Sequence, residues 1–318
     1  MKVTEMKRAG QLTRQDFSEA LWGREEEFSS GLMALIDSMD FSHQVMEGAE
    51  RELMILAAVR ALLEERLPVS GPERHQAWVR GWQEVLENFR QSGQGAAALT
   101  PQYFRPFQIV RWQGLYLRPL VQDLELNIYK VFRRHVFDRF LLNPEIKHVF
   151  EFGCGTAHNL VALAAVAPEK QLFGLDWANP SQALITEINR ELGLNIKGQT
   201  FDFQHPAYDL EAPSGSAFLT MNALEQLGGN HAAFIEFCLD KRPALCVHTE
   251  PIEELYDQRD LMDYLAWRYH HKRGYLSGYL SRVRELEELG KAEIIEASRF
   301  KFGSLFHEGH SVLVWRPL

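Results

Sequence analysis

The order of apolar runs predicts an α/β chain built on a mostly parallel sheet. From about residue 146, the short runs IKHVFEF, QLFGLD, SAFLTM and ALCVHTE alternate with stretches of helical periodicity. Strands joined by helical crossovers lie parallel, with helices on both faces of the sheet. The C-terminal stretch differs. AEIIEASRFKF and HSVLVWRP leave no room for a helix between them, so an antiparallel hairpin is expected on the sheet edge. The first hundred residues supply the third observation, because they read as helices.

Within that N-terminal region, residues 51–66 (RELMILAAVRALLEER) set Leu53, Leu56 and Val59 near one face, continued by Leu62 and Leu63. Residues 72–91 open with Pro72, which suits a first helical turn, and carry Trp78, Trp82, Val85, Leu86 and Phe89 at amphipathic spacing. SGQGAAALTP, residues 92–101, is small, polar and ends in proline. It marks a boundary between a helical region, 1–100, and a second domain, 101–318. Residues 102–120 (QYFRPFQIVRWQGLYLRPL) alternate aromatics with arginines. They read either as a segment packed across the surface or as a lid over a site. Residues 123–142 return to a helix that ends before Asn143-Pro144.

Composition narrows the classes. The 318 residues are 46% hydrophobic, 24% charged and 11% aromatic, as in an ordinary globular protein of one large domain or two modest ones. A formal charge of −9 repels a phosphate backbone, so no nucleic-acid partner is expected. The basic residues Lys130, Arg133 and Arg134, and again Arg268, Lys272 and Arg273, read as solvated helix faces. Three cysteines, Cys154, Cys238 and Cys246, have neither a disulfide framework nor a zinc spacing. No metal is expected, and a reducing cytoplasm is the simplest compartment. The opening MKVTEMKRAGQLTRQDF is too polar for a signal peptide. No apolar run approaches the roughly 20 residues of a membrane span, so no membrane partner is expected. Oligomeric state is left open.

The chemistry concentrates in residues 149–160, VFEFGCGTAHNL. An apolar run ends at Glu151, Gly153 and Gly155 follow around Cys154, and a helix begins. Glycine lets backbone approach a ligand and adopt dihedrals closed to other residues, while a helix N-terminus adds N–H donors. The dinucleotide pattern G-x-G-x-x-G fails, because its last position counted from Gly153 is His158. An acidic residue followed by G-x-G resembles the class I S-adenosylmethionine-dependent methyltransferase family, and residues 146–318 look like that family as a whole. A third glycine common there is Ala157 in this chain.

That resemblance implies a Rossmann-like sheet ending in a reversed strand pair, with S-adenosylmethionine as cofactor. It implies that Asp176, 25 residues after Glu151, accepts hydrogen bonds from the ribose hydroxyls. A carboxylate suits two adjacent hydroxyls because it offers two acceptor oxygens. Trp177 would lie against the adenine. Asp202 would read the adenine amino group, with Phe203 nearby, and Met221 and Asn222 would line the methyl-donor pocket. Taken singly, an aspartate at a strand end is more often a cap for the next helix. Their appearance in order, each after a short apolar run, carries the reading.

Ligands of open α/β sheets bind beyond the carboxyl ends of the strands. Asn222, Glu225, His248 and Glu250 lie there. His248 and Glu250 are two apart, share one side of a strand, and form a candidate acid–base pair. Alternatively, one of them bonds a neighbouring loop. An insertion at about 251–290 then gathers Arg268, Tyr269, His270, His271, Arg273, Tyr275 and Tyr279 around two glycines. His270 and His271 suit proton transfer. Arg273 suits a substrate carboxylate or phosphate, with Tyr275 beside it. The plainer account is a helix C-terminus stopped by Gly274. His307, Glu308 and His310 are second-tier candidates. The expected function is methyl transfer to an oxygen or nitrogen of a polar small molecule. The alternatives are a peptide or protein side-chain methyltransferase and a non-catalytic S-adenosylmethionine-binding protein. A nicotinamide-dependent oxidoreductase is opposed by His158 and the terminal hairpin.

Overall fold

The computed structural model describes residues 9–21, 27–63, 66–92 and 95–318. The N-terminal part runs β1 (Gly10–Gln11), α1 (Arg14–Ala20), α2 (Ser30–Asp37), β2 (Ser42–Met46), α3 (Gly48–Leu63), α4 (His75–Ser92), β3 (Val110–Trp112), β4 (Leu115–Pro119) and α5 (Leu124–Val136). There follow β5 (His148–Phe152), α6 (His158–Ala164), β6 (Gln171–Asp176), α7 (Asn179–Leu192), β7 (Ile196–Thr200), β8 (Ser216–Met221), α8 (Ala232–Lys241) and β9 (Leu245–Glu250). The chain closes with α9 (Leu261–Arg273), α10 (Tyr279–Glu288), β10 (Ala292–Gly303) and β11 (Glu308–Pro317).

Among the described residues, eleven strands form one sheet, ordered β1-β2-β4-β3-β10-β11-β9-β8-β5-β6-β7. β5 to β9 are mutually parallel, as the strand–helix alternation predicts. β8 continues on the opposite side of β5 from β6, so the strand order reverses at β5. That reversal opens a crevice at the carboxyl ends of β5 and β8, where ligands of such sheets sit. Side chains alternate between two cores. Val149, Ala217 and Val247 pack on one face beneath α5, α6 and α7. Phe150, Phe218 and Cys246 pack on the other beneath α8 and α10.

Four expectations are corrected here. The terminal hairpin is antiparallel but does not end the sheet. β11 inserts beside β9, and β10 goes on to pair with β3. Residues 102–120 supply that β3–β4 hairpin, with only its leading turn near the crevice. The first hundred residues are not all helical, since β1 and β2 extend the same sheet. Their side chains share its core: Phe17 meets Trp112 edge-on at 5.3 Å, and Trp112 meets Phe300 at 5.5 Å. Last, α3 buries Ala58 and Ala61 and leaves Leu53, Leu56 and Leu63 exposed. The small side chains let α9 approach, and the Lys272 ammonium donates to the carbonyls of Ala61 and Leu62, each at 2.8 Å. Among the described residues, no helix is long and apolar enough to cross a membrane.

Candidate functional site

The glycine turn forms the floor of a cleft at the carboxyl ends of β5, β6 and β8. Gly153 and Gly155 take φ of +71° and +53°, in the left-handed region that glycine tolerates. A Cβ on Gly153 would stand 2.4 Å from the Ala223 Cβ, and one on Gly155 would stand 2.8 Å from the Trp82 ring. Both glycines are therefore required by space as well as by dihedral. Ala157, at the third position, also sits left-handed, at φ +57°.

Glu151, Cys154, Asp176 and Trp177 line this cleft, as do Asp202, Phe203 and Asn222. The structure thus gathers every residue that the family resemblance assigned to the cofactor. Glu151 is buried; Asn159 Nδ2 donates to its Oε1 at 2.8 Å, and its Oε2 has no hydrogen-bond partner among the described residues. Burial pushes this carboxyl up to about 8, against the pull of Asn159 and Arg133. Asp176 accepts from the Gly155 N–H and the Ala178 N–H, each at 2.8 Å. It holds the turn before α7 and fastens that turn to the glycine loop. Burial raises it to about 6, so it is ionised at neutral pH. Each oxygen keeps a further lone pair for a ligand hydroxyl. Asp202 folds onto its own turn, accepting from the Gln204 N–H at 2.9 Å and lying 3.0 Å from His205 Nδ1. Asn222, left-handed at φ +56°, donates to the Gly309 carbonyl at 2.7 Å and so ties β8 to β11.

Sequence reasoning missed the opposite wall. α4 brings Trp78 and Trp82, stacked at 5.4 Å, and Tyr103 and Pro101 follow from the segment after it. His75 meets Trp177 edge-on at 4.9 Å. Tryptophans at i and i+4 read as one helix face, and nothing local says which surface that face covers.

The proposed acid–base pair is corrected. His248 and Glu250 do share a side of β9, but it is the side packed under α8 and α10. Both are fully buried and neither lines the cleft. His248 Nδ1 lies 2.9 Å from Thr220 Oγ1 and its Nε2 3.0 Å from the Tyr279 hydroxyl, and burial holds it down to about 3. Glu250 accepts from the Ala223 N–H at 3.0 Å and the Glu225 N–H at 3.2 Å, which anchors the turn after β8. His271 is on the surface, 3.2 Å from Glu253. His270 is buried, is held down to about 3 by burial, and has no hydrogen-bond partner on either ring nitrogen among the described residues. Gly274 ends α9 in the left-handed conformation, as the plainer account of the insertion expects. Glu225, Arg273 and Tyr275 cluster beside the cleft and outside its lining. Of the second-tier candidates, His307 and His310 are held down by burial and Glu308 is consumed in an ion pair.

These burials set a pH dependence. Glu151 and Glu225, both pushed up to about 8 by burial, titrate near 4.5 when unfolded. Their contribution is complete below about 4.5 and is lost as pH rises through 8. His248, His270 and His310, held near 3 against 6.5 unfolded, work oppositely: their contribution is complete above 6.5 and is lost on acidification. Of these five groups, only the two carboxyls still change their contribution above pH 6.5. The melting temperature is therefore expected to fall between pH 6.5 and 8.5, and Glu225→Gln should flatten that fall in differential scanning calorimetry.

No protein-family model matches the chain, and no curated protein matches it. Solved structures are similar over part of it. An O-methyltransferase, NcsB1 from neocarzinostatin biosynthesis, in complex with S-adenosylmethionine, is 15% identical over 61% of this chain and 58% of its own, with a TM-score of 0.40. The match thus spans less than two thirds of that protein. A SAM-dependent methyltransferase from Aquifex aeolicus is 14% identical over 58% of this chain and 89% of its own, with a TM-score of 0.42. Magnesium protoporphyrin IX methyltransferase from Synechocystis, with bound SAM, is 11% identical over 61% and 82%, with a TM-score of 0.40. These are likenesses of shape over part of the chain.

Proposed function

We propose that the cleft binds S-adenosylmethionine and that the chain transfers its methyl group to an oxygen or nitrogen of a polar small molecule. One observation carries the reading: a glycine turn with no room for a Cβ at Gly153 or Gly155, with the Glu151 Oε2 buried beside it without a partner among the described residues and Asp176 one strand away, all lining one cleft. The donor set fits the group. Glu151 would take the methionine ammonium, Asp176 the ribose hydroxyls, and Asp202, Phe203 and Trp177 the adenine. When bound, the cofactor supplies an electrophilic methyl group.

The chain's own part is positioning and the handling of a proton. Positioning alone can supply much of the barrier reduction in a displacement between two bound partners. With His248 and Glu250 withdrawn into the core, Glu225, on the turn after β8, is the carboxyl proposed to take the acceptor's proton, and because it is pushed up to about 8 it does so from the fraction that is ionised at neutral pH. Arg273 and Arg74 act on it from across the cluster. The walls formed by α4 and by Gly71–Pro72 narrow the cleft, which supports a small acceptor over a peptide.

Calorimetric titration with S-adenosylmethionine, NAD and NADP tests the reading. Saturable binding of the first alone is expected. Asp176→Ala should weaken it by roughly 30–100-fold, the equivalent of about 2–3 kcal/mol for hydrogen bonds to a charged group. Preference for a nicotinamide nucleotide, or no binding of any of the three, would overturn it.

A further inference from the structure

Three separate segments meet beside the cleft. The Ser70 N–H donates to the Arg273 carbonyl at 2.7 Å, and the Ser70 hydroxyl donates to the Gly274 carbonyl. The Ser277 N–H donates to the Gly228 carbonyl at 3.2 Å. These bonds pin residues 70–74, the turn after β8 that carries Glu225 and Gln226, and the end of α9 against one another. Arg74 and Arg273 converge there from opposite sides. The Arg74 guanidinium lies 5.6 Å from the Trp78 ring centroid and that of Arg273 4.9 Å from the Tyr275 ring centroid. Trp78 lines the cleft, so the pair stands at its margin.

Neither guanidinium has a carboxylate within ion-pair distance among the described residues, unlike Arg299 and Arg90. The Nε of each is buried without a hydrogen-bond partner, and so is Gln226 Oε1. Buried donors of this strength are normally satisfied. Glu225 does not neutralise them. Burial and the neighbouring Glu250 push it up to about 8, so at neutral pH two cations face a protonated acid.

We infer that Arg74 and Arg273 form a carboxylate-recognition subsite, so that the acceptor is a small organic carboxylate with a flat apolar body. A planar guanidinium fork matches a carboxylate in a two-bond pairing that a point cation cannot make. The Arg74 fork lies over Trp78 and the Arg273 fork over Tyr275, and Trp78, Trp82 and Leu227, which line the cleft, supply apolar walls for the rest of the molecule. The assignment rests on the methyl-transfer reading, because it names that reaction's acceptor class.

The test uses benzoate, benzamide and inorganic phosphate as probes, titrated into the full chain with and without S-adenosylhomocysteine. Saturable benzoate binding is expected. It should weaken at least tenfold in Arg74→Gln and in Arg273→Gln and stay unchanged in Arg268→Gln, with thermal melts confirming that each variant folds. Benzamide binding as well as benzoate, phosphate binding more tightly than benzoate, or unchanged affinity in both arginine variants would each overturn the inference. Benzoate binding without S-adenosylhomocysteine binding would leave the subsite standing and remove the cofactor reading. The reverse would remove the subsite alone.

Discussion

Arg299→Met is expected to destabilise the fold by on the order of 3–5 kcal/mol, the cost typical of removing one partner from a buried ion pair. Arg299, on β10, donates to Asp263 in the first turn of α9, with its Nη2 2.6 Å from Oδ1, and also to Glu308 at the start of β11. Its guanidinium lies 4.6 Å from the Tyr256 ring centroid, and the Tyr256 hydroxyl donates to the Glu308 carbonyl at 2.8 Å. The side chains of Arg299, Asp263 and Glu308 are only 10%, 4% and 2% exposed. Burial works against ionisation of Asp263, but the Arg299 guanidinium outweighs it and holds that carboxyl below its usual range. Methionine fills similar volume and leaves two carboxyls facing each other without a cation. The melting temperature should drop by roughly 10 °C. Adding Asp263→Asn and Glu308→Gln should recover most of the loss, since no buried charge then lacks a partner. A single-variant loss below about 1 kcal/mol would show that water reaches the network.

Gly153→Ala is the second large effect. The left-handed backbone costs a residue with a Cβ about 1–2 kcal/mol. The larger problem is the new Cβ, which would lie 2.4 Å from the Ala223 Cβ. That atom cannot swing aside, because it is fixed to the backbone and the Ala223 N–H is held by Glu250. The loop must move, and the donors that cradle the ligand move with it. S-adenosylmethionine affinity is expected to fall by at least ~100-fold, with a loss of roughly 2–3 kcal/mol in stability. Ala157→Gly is the matched control. It relieves a left-handed alanine but removes a buried methyl, and these oppose, so stability should stay within about 1 kcal/mol. Retained affinity in Gly153→Ala, measured by calorimetry, would mean that the turn is a strand–helix connection and not a cradle.

Glu151, Gly153, Gly155, Asp176 and Asp202 were legible because each follows a short apolar run in one chain order. Local periodicity sets where a strand ends, and a parallel sheet brings all such ends to one side. His248 and Glu250 were misread for a related reason. Period-two alternation puts them on a common side of β9, but it does not say which side α8 and α10 will cover.

By itself the sequence determined the parallel strands, the glycine turn, the antiparallel terminal hairpin and the helix stop at Gly274, all consequences of local dihedral preference and side-chain spacing. Tertiary structure alone decided that β1 to β4 extend the sheet past that hairpin, and that α4 closes the cleft with Trp78 and Trp82. It alone brought Arg74, Arg273 and Glu225 together across some two hundred residues of chain. These are long-range pairings, made when separate apolar faces find one another. No window of the chain short enough to show a periodicity contains both partners.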